Sequence, residues 1–345
     1  MWMRHAIVLL GVIGFITAAR AQDFRIEDVD SARHADVTQL QSGTIAFSDR
    51  TEADAASSRP DLIRFEDWAL KQPAQKKFLS LFPAYAEPTI SKSENGSAKS
   101  GIAKLYMYVG QARFVIDRAP GAIDLSRYVT LDFLQKSDPA VKHTAIAAAD
   151  ITPPKGDAGN ENPDRQWCTG RATLICIQSD YKLEGKIPIG ILLVNKLRDS
   201  AKKVADHIDF ESELSALTPA DVDQPGLQEL TTLDTPISGV LEQNIFRVNE
   251  IMRFGKLLAV FQGHPTDPSK TVVTAFVALA INADVFDKKR EFDKVPVLHN
   301  LVPEQVLMGH SSFNSGNSIS AGLPQYARNE IRTIAGILAH DTGTK

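Results

Sequence analysis

A serine hydrolase needs its nucleophile on a tight strand-to-helix turn, where small neighbours let the hydroxyl stand exposed, and the pattern for that is Gly-x-Ser-x-Gly. Gly309-His310-Ser311-Ser312-Phe313 starts this way and fails at the final glycine. His264, His299 and Asp267 are the right types for a base and its orienting acid. No spacing ties them together, and a triad is defined by geometry rather than by chain position. The polarity of a flexible loop accounts for Ser311 and Ser312 as well.

Asp157-Ala158-Gly159-Asn160-Glu161-Asn162-Pro163-Asp164 carries hard oxygen donors of the kind calcium takes. It lacks the glycine and terminal glutamate of an EF-hand, and Asn, Asp, Gly and Pro are also what turns require. No metal is assigned to it. The histidines beyond His5, namely His34, His143, His207, His264, His299, His310 and His340, include no pair at ligand spacing, so zinc is unsupported. No glycine-rich phosphate loop follows a strand, which removes the nucleotide-cofactor classes. Glycosidases work with paired carboxylates and stack sugars on aromatic rings, and aromatics are only 7% here. No catalytic, cofactor-binding or metal residue is assigned, and the reading leans away from an enzyme.

Cys168 and Cys176 are the only cysteines. Thr169-Gly170-Arg171-Ala172 between them can turn the chain, and a disulfide closing so short a loop contributes about 2–3 kcal/mol in the chain-entropy model. A redox pair would have two intervening residues, and a zinc site two more ligands nearby. A structural disulfide is the expectation, which requires an oxidising compartment.

The N-terminus supplies one. Arg4 and His5 precede an apolar run from Ala6 to Ala18, and Ala19-Arg20-Ala21 follows as a small-x-small cleavage site. That run is far short of the roughly 20 residues of a spanning helix. Residues 1–21 therefore read as a signal peptide cleaved near Ala21, giving a periplasmic or secreted protein with no integral membrane segment. Loss of Arg4 and Arg20 makes the formal charge of −4 more negative. With no dense basic stretch, nucleic acid is not an expected partner. Hydrophobic residues at 43% and charged residues at 23% are globular values.

These candidates must be positioned by the elements around them. Residues 22–60 are rich in Asp, Ser, Ala and Thr and read as poorly ordered, with a short strand at Thr44 to Phe47. Apolar spacing of three and four predicts short helices over 62–70 and 77–82. The runs Lys104 to Val109 and Ala112 to Asp117 flank Gly110-Gln111 and predict a hairpin. A turn at Ala119-Pro120-Gly121 leads to a third strand over Tyr128 to Leu134. Residues 151–167 read as a long loop. Leu174 to Leu183 and Lys186 to Val194 predict a second hairpin, with Pro188 marking a bulge or an edge. Asp199 to Leu217 reads as a helix of mixed charge, and 218–236 as the place where the chain would subdivide. Arg253 to Gln262 and Thr271 to Ile281 predict a third hairpin, the latter run also fitting a helical period. Gly309 to Gly322 reads as a loop, and Pro324 opens an amphipathic helix with Leu323, Tyr326, Ile331, Ile334 and Leu338 on one side.

The class that results is α+β: an antiparallel sheet built from successive hairpins with a C-terminal amphipathic helix packed on it, in one domain over 61–345. Hairpins followed by a long amphipathic helix can wrap a sheet around an apolar cavity, as the helix-grip folds that carry lipids do; the analogy is one of architecture, with no residue motif behind it. Tyr106, Tyr108, Phe114, Phe254, Phe261 and Phe276 could equally fill a solid core. Three readings follow: an exported, non-catalytic protein binding an apolar small molecule or lipid; an envelope structural or interaction protein; and a secreted hydrolase.

Overall fold

The computed structural model describes residues 24–49, 63–64, 91–92, 98–99, 105–139, 141–151, 167–182, 207–248, 252–282 and 319–341. The strands are β1 (Arg25–Asp28), β2 (Thr44–Ser48), β3 (Ile63–Arg64), β4 (Ser91–Lys92), β5 (Ala98–Lys99), β6 (Leu105–Ile116), β7 (Val141–Ala145), β8 (Leu174–Lys182), β9 (His207–Leu217), β10 (Ile237–Val248), β11 (Met252–Gly263) and β12 (Thr271–Asn282). The helices are α1 (Leu131–Ser137), α2 (Gln224–Thr231) and α3 (Ile319–His340). Ten strands form one sheet in the order β1-β2-β6-β12-β11-β10-β9-β8-β7, with β3 beside β6, while β4 and β5 pair separately. All pairs are antiparallel except β1 with β2. Among the described residues, no helix is long and apolar enough to cross a membrane.

The hairpin of β11 and β12 forms as expected, with Leu258 opposite Phe276 and Ala259 opposite Ala275. The run 271–281 is strand rather than helix because β6 pairs along its other edge, from Thr271 with Ile116 to Asn282 with Leu105.

That pairing corrects the first hairpin. Residues 105–116 are one strand, and Gly110-Gln111 stays extended opposite Val277 and Phe276. The alternation never changes phase across Gly110: Ala112, Phe114 and Ile116 share one face of a strand that has a full-length partner. The strand expected over 128–134 is instead a 3-10 turn, Leu125–Tyr128, followed by α1. The Thr130 hydroxyl accepts from the Phe133 N–H at 3.2 Å and starts the helix, and Lys136 pairs with Asp132 one turn back at 2.7 Å.

The mixed-charge helix is also corrected: His207–Leu217 is strand β9, with residues 199–206 outside the described set. Glu211, Glu213 and Ser215 alternate with Ser212, Leu214 and Ala216, and every one but Ala216 is buried. Acids buried at period two belong to a strand face, so the mixed charge of this run does not mark a helix. Strand β8 stands as expected, but its neighbours are β7 and β9, so the pairing with Lys186 to Val194, which lies outside the described residues, does not form along it. Ile63–Arg64, expected in a helix, pairs with β6; the remainder of 62–70 and all of 77–82 lie outside. The 218–236 stretch contains α2. Helix α3 begins at Ile319, so the last residues read as loop are helical.

The segment read as poorly ordered contributes β1 and β2 over residues 24–49, with Ile45 and Phe47 fully buried. Phe24 meets Phe114 edge-on at 5.8 Å between ring centroids. These side chains join Phe261, Val273, Ala327, Ala335 and Leu338 between the sheet and α3, on what we call the inner face. The outer face is covered by residues around 32–40 and by α2, which bury Val115, Val272, Val37 and Leu233 together. The Arg113 guanidinium crosses this layer, donating to the carbonyls of Ala35 at 3.1 Å and Thr231, and to the Thr274 hydroxyl at 3.2 Å.

Candidate functional site

Register places a row of small side chains across the middle of the inner face. Ala112 of β6 lies opposite Ala275 of β12, which lies opposite Ala259 of β11; Leu241 of β10 continues the row to Ala216 of β9. Ala275, Ala259 and Ala216 are only partly buried, as are Leu257, Phe210 and Ile175 on the same face. Their neighbours on the outer face, Val260, Thr274 and Val272, are fully buried. Central strands of a covered sheet ordinarily bury both faces. Here α3 lies chiefly against β6, β1 and α1, and the 120–128 segment closes one end, where Leu125 crowds Gly239. Between them the alanine row remains reachable from solvent. Phe114 and Phe261 fill solid core beside it, while Phe276 is buried on the outer face.

Helix α3 is held at its C-terminal end and near its middle. Arg118 donates to the carbonyls of Leu338, at 3.3 Å, and Asp341, and to that of Ala122 at 2.7 Å, placing a cation on the negative end of the helix. The Tyr128 hydroxyl donates to Asp341 at 2.9 Å, and burial with that carboxylate pushes its pKa up to about 12. Arg127 adds an ion pair to Asp341 at 3.2 Å. Near the middle of the helix, Arg328 pairs with Asp49 at 3.1 Å and Asp28 at 2.7 Å, and lies 4.5 Å over the Phe47 ring.

One polar group sits in the apolar stripe of this helix. Glu330 follows Ala327 by three residues and precedes Ile334 by four, so it shares their face. Burial pushes its carboxyl up to about 8, the nearby Asp138 carboxylate raises it further, and a hydrogen bond with Ser137 opposes. Asp138 is 6% exposed at the end of α1. His143 on β7 has its Nδ1 2.9 Å from the Ser179 hydroxyl, while its buried Nε2 has no hydrogen-bond partner. Burial lowers the His143 pKa, against the pull of Asp138. A protonated Glu330 can donate a hydrogen bond, and a neutral His143 offers one more polar atom.

Histidine, serine and aspartate near one another invite comparison with a catalytic triad, and the geometry argues against it. Ser179 is fully buried inside the β8 ladder, and the ring nitrogen that an orienting carboxylate would hold is the unpartnered Nε2. His264 and Asp267 lie together in the β11–β12 turn without forming a base and its orienting acid. His264 Nε2 is 3.1 Å from the Val37 carbonyl, and Asp267 accepts from the Ser269 N–H at 3.0 Å and hydroxyl at 2.5 Å. Those bonds lower the Asp267 pKa and shape the turn. His299, His310, Ser311, Ser312 and the loop Asp157 to Asp164 lie outside the described residues. Among the described residues, no group of His, Cys, Asp and Glu is arranged to hold a metal. Cys168 and Cys176 are joined, with Cα atoms 5.6 Å apart.

Sequence reading missed Glu330, His143 and the alanine row. A lone acid in an amphipathic stripe was visible signal for the first. The row exists only through register.

No family model and no curated protein matches the chain. Similar solved structures include the Zhui aromatase/cyclase from Streptomyces sp. R1128, with TM-score 0.32 and 10% identity over 67% of this chain and 93% of that one. A START superfamily protein from Mycobacterium smegmatis gives 0.25 and 8%, over 56% and 96%. Norcoclaurine synthase from Thalictrum flavum, in complex with dopamine and hydroxybenzaldehyde, gives 0.28 and 10%, over 69% and 91%. Scores this low assign neither family nor function to the chain.

Proposed function

We propose that the chain is an exported, non-catalytic protein that holds an apolar small molecule or lipid between the inner sheet face and α3, with the polar group of the ligand toward Glu330, Asp138 and His143. The observation that carries this reading is the partial exposure of Ala259 and Ala275 at the centre of a sheet whose other face is closed over Val260 and Thr274. Apolar surface left in water at the middle of a fold is stabilised by any apolar molecule that covers it, at about 25 cal/mol per Å² removed from water before the costs of ordering. Small side chains provide room, and a protonated carboxyl provides direction at low cost, since a neutral acid needs less compensation in an apolar site than an ionised one. The signal-peptide pattern read in residues 1–21 and the disulfide support export. The buried Ser179 and unpartnered His143 Nε2 support a binding role over hydrolysis.

Native mass spectrometry of protein purified from an exporting host, followed by organic extraction, tests the reading. A co-purifying apolar molecule at a reproducible ratio is expected. A ligand-free mass, together with no uptake of fluorescent fatty acids or other apolar probes, would overturn it.

A further inference from the structure

Residues 167–171 lie as a strap over the outer face of β8, β9 and β10, away from the proposed ligand face. The disulfide ties Cys168 to Cys176 of β8. The Cys168 N–H donates to Glu213 at 2.9 Å, and Arg171 donates to the Ser215 hydroxyl and to Glu242, both at 2.6 Å. Trp167 stacks on Phe246 at 4.7 Å between centroids. Beneath lie charges almost sealed from water: Glu213 and Lys256 at 1% exposure and Glu242 at 3%. Lys256 pairs with Glu242, and Asn244 donates to Glu213 at 3.1 Å. Lys256 and Arg171 hold the Glu242 carboxyl down at about 2 despite its burial. The strap thus covers two acids, supplies one of their cations and donates a main-chain hydrogen bond.

Its path is costly at one point. Cys168 has φ 64°, a left-handed conformation that residues other than glycine seldom adopt, and Gly170 follows with φ 80°. The sulfurs also differ in access: Cys168 is half-buried, while Cys176 is 7% exposed. Strand β8 does not depend on the bond, because β7 and β9 hold it on both sides.

We propose that Cys168–Cys176 is a redox latch, whose reduction releases the 167–171 strap and uncovers the acidic outer-face cluster around Glu213 and Glu242 while the sheet stays folded. A thiolate of a dithiol reductant attacks Cys168 Sγ, and Cys176 Sγ leaves as a thiolate and takes a proton. The second thiol of the reductant then displaces Cys168, so the protein gains two electrons and two protons and the reductant leaves as its own disulfide. With Arg171 withdrawn, Glu242 loses one of the two cations that pair with it, and Glu213 loses the Cys168 N–H, so the uncovered surface becomes more acidic.

The test uses the full chain with Trp2→Phe and Trp68→Phe, so that Trp167 alone reports. Under dithiothreitol, alkylation should label two thiols, Trp167 emission should shift to the red as the ring leaves Phe246, and the far-ultraviolet dichroism of the sheet should stay unchanged; reoxidation should reverse the shift. The Cys168→Ser, Cys176→Ser double variant should show the shifted emission without reductant and no further response. Two labelled thiols with unmoved emission would show a strap held without its bond. Loss of the sheet signal together with the disulfide would make the bond a structural staple. Failure to label any thiol in the folded chain would mean that the latch does not open. Each of these three results overturns the proposal.

Discussion

Ala259 on β11 faces Ala275 on β12 across the middle of the sheet, and both stay partly exposed while Val260 and Thr274, one residue away on the opposite face, are fully buried. Filling that space with a large side chain should exclude a ligand without disturbing the ladder, whose hydrogen bonds come from the backbone. Ala259→Trp is expected to lower probe affinity at least tenfold, about 1.4 kcal/mol, with an unchanged melting temperature. Displacement of a fluorescent fatty acid measures the first and calorimetry the second. Unaltered binding in a folded variant would place the ligand elsewhere.

Glu330 should make stability depend on pH in a direction opposite to that of most acids. Its carboxyl is raised from 4.5 to about 8 in the folded chain, so between those values the folded state keeps a proton that the unfolded state has lost. Stability should therefore fall as pH rises from about 4.5 to about 8 and level off above, since a raised acid pKa disfavours the folded state once the unfolded chain ionises. Glu330→Gln should remove most of that slope and be more stable at pH 9 by about 1–3 kcal/mol, a range reduced for partial solvent screening. Urea unfolding of both proteins across pH 4 to 9 gives the comparison.

Arg118 caps the C-terminal end of α3 through the carbonyls of Leu338 and Asp341 and ties it to the 120–122 turn through that of Ala122. Arg118→Ala should cost about 2–3 kcal/mol, as expected when charge-assisted bonds to partly buried groups are lost. Hydrogen exchange should locate the loss in the last turns of α3. Protection unchanged at residues 335–340 would show that Tyr128 and Arg127 suffice.

Arg113, 2% exposed, joins the outer face to the 32–40 segment and α2, and its burial lowers its pKa to about 10. Arg113→Met should cost about 2–4 kcal/mol by leaving the Ala35 and Thr231 carbonyls without a donor. Arg113→Lys should lie between, because an ammonium cannot span both carbonyls and the Thr274 hydroxyl as the guanidinium fork does. The urea midpoint should move with the m value constant.

Much of the strand content was legible because alternation is a local signal. It placed β2, β8, β11 and β12 well and carried through both halves of β6. The errors came where one local cue had two meanings. Gly110-Gln111 has turn chemistry, yet β12 and β6 pair without interruption. The charges of 199–217 suggested a helix, yet Arg247 meets Glu211 at 2.9 Å and Asn244 meets Glu213 at 3.1 Å, from the neighbouring strand. Thr130 could have announced α1 as a cap, but the β-rich run after Tyr128 hid it.

The sequence by itself determined the disulfide partners, since only two cysteines exist, together with the α+β class and a long amphipathic helix at the C-terminal end. The tertiary structure alone decided that Ala112, Ala275, Ala259 and Ala216 form one row, that Glu330 meets Ser137 and Asp138, and that Arg171 reaches Glu242. The reason is physical: periodicity reports which face a residue occupies, whereas register and the packing of distant segments decide what it faces, and those depend on pairing energies summed over whole strands.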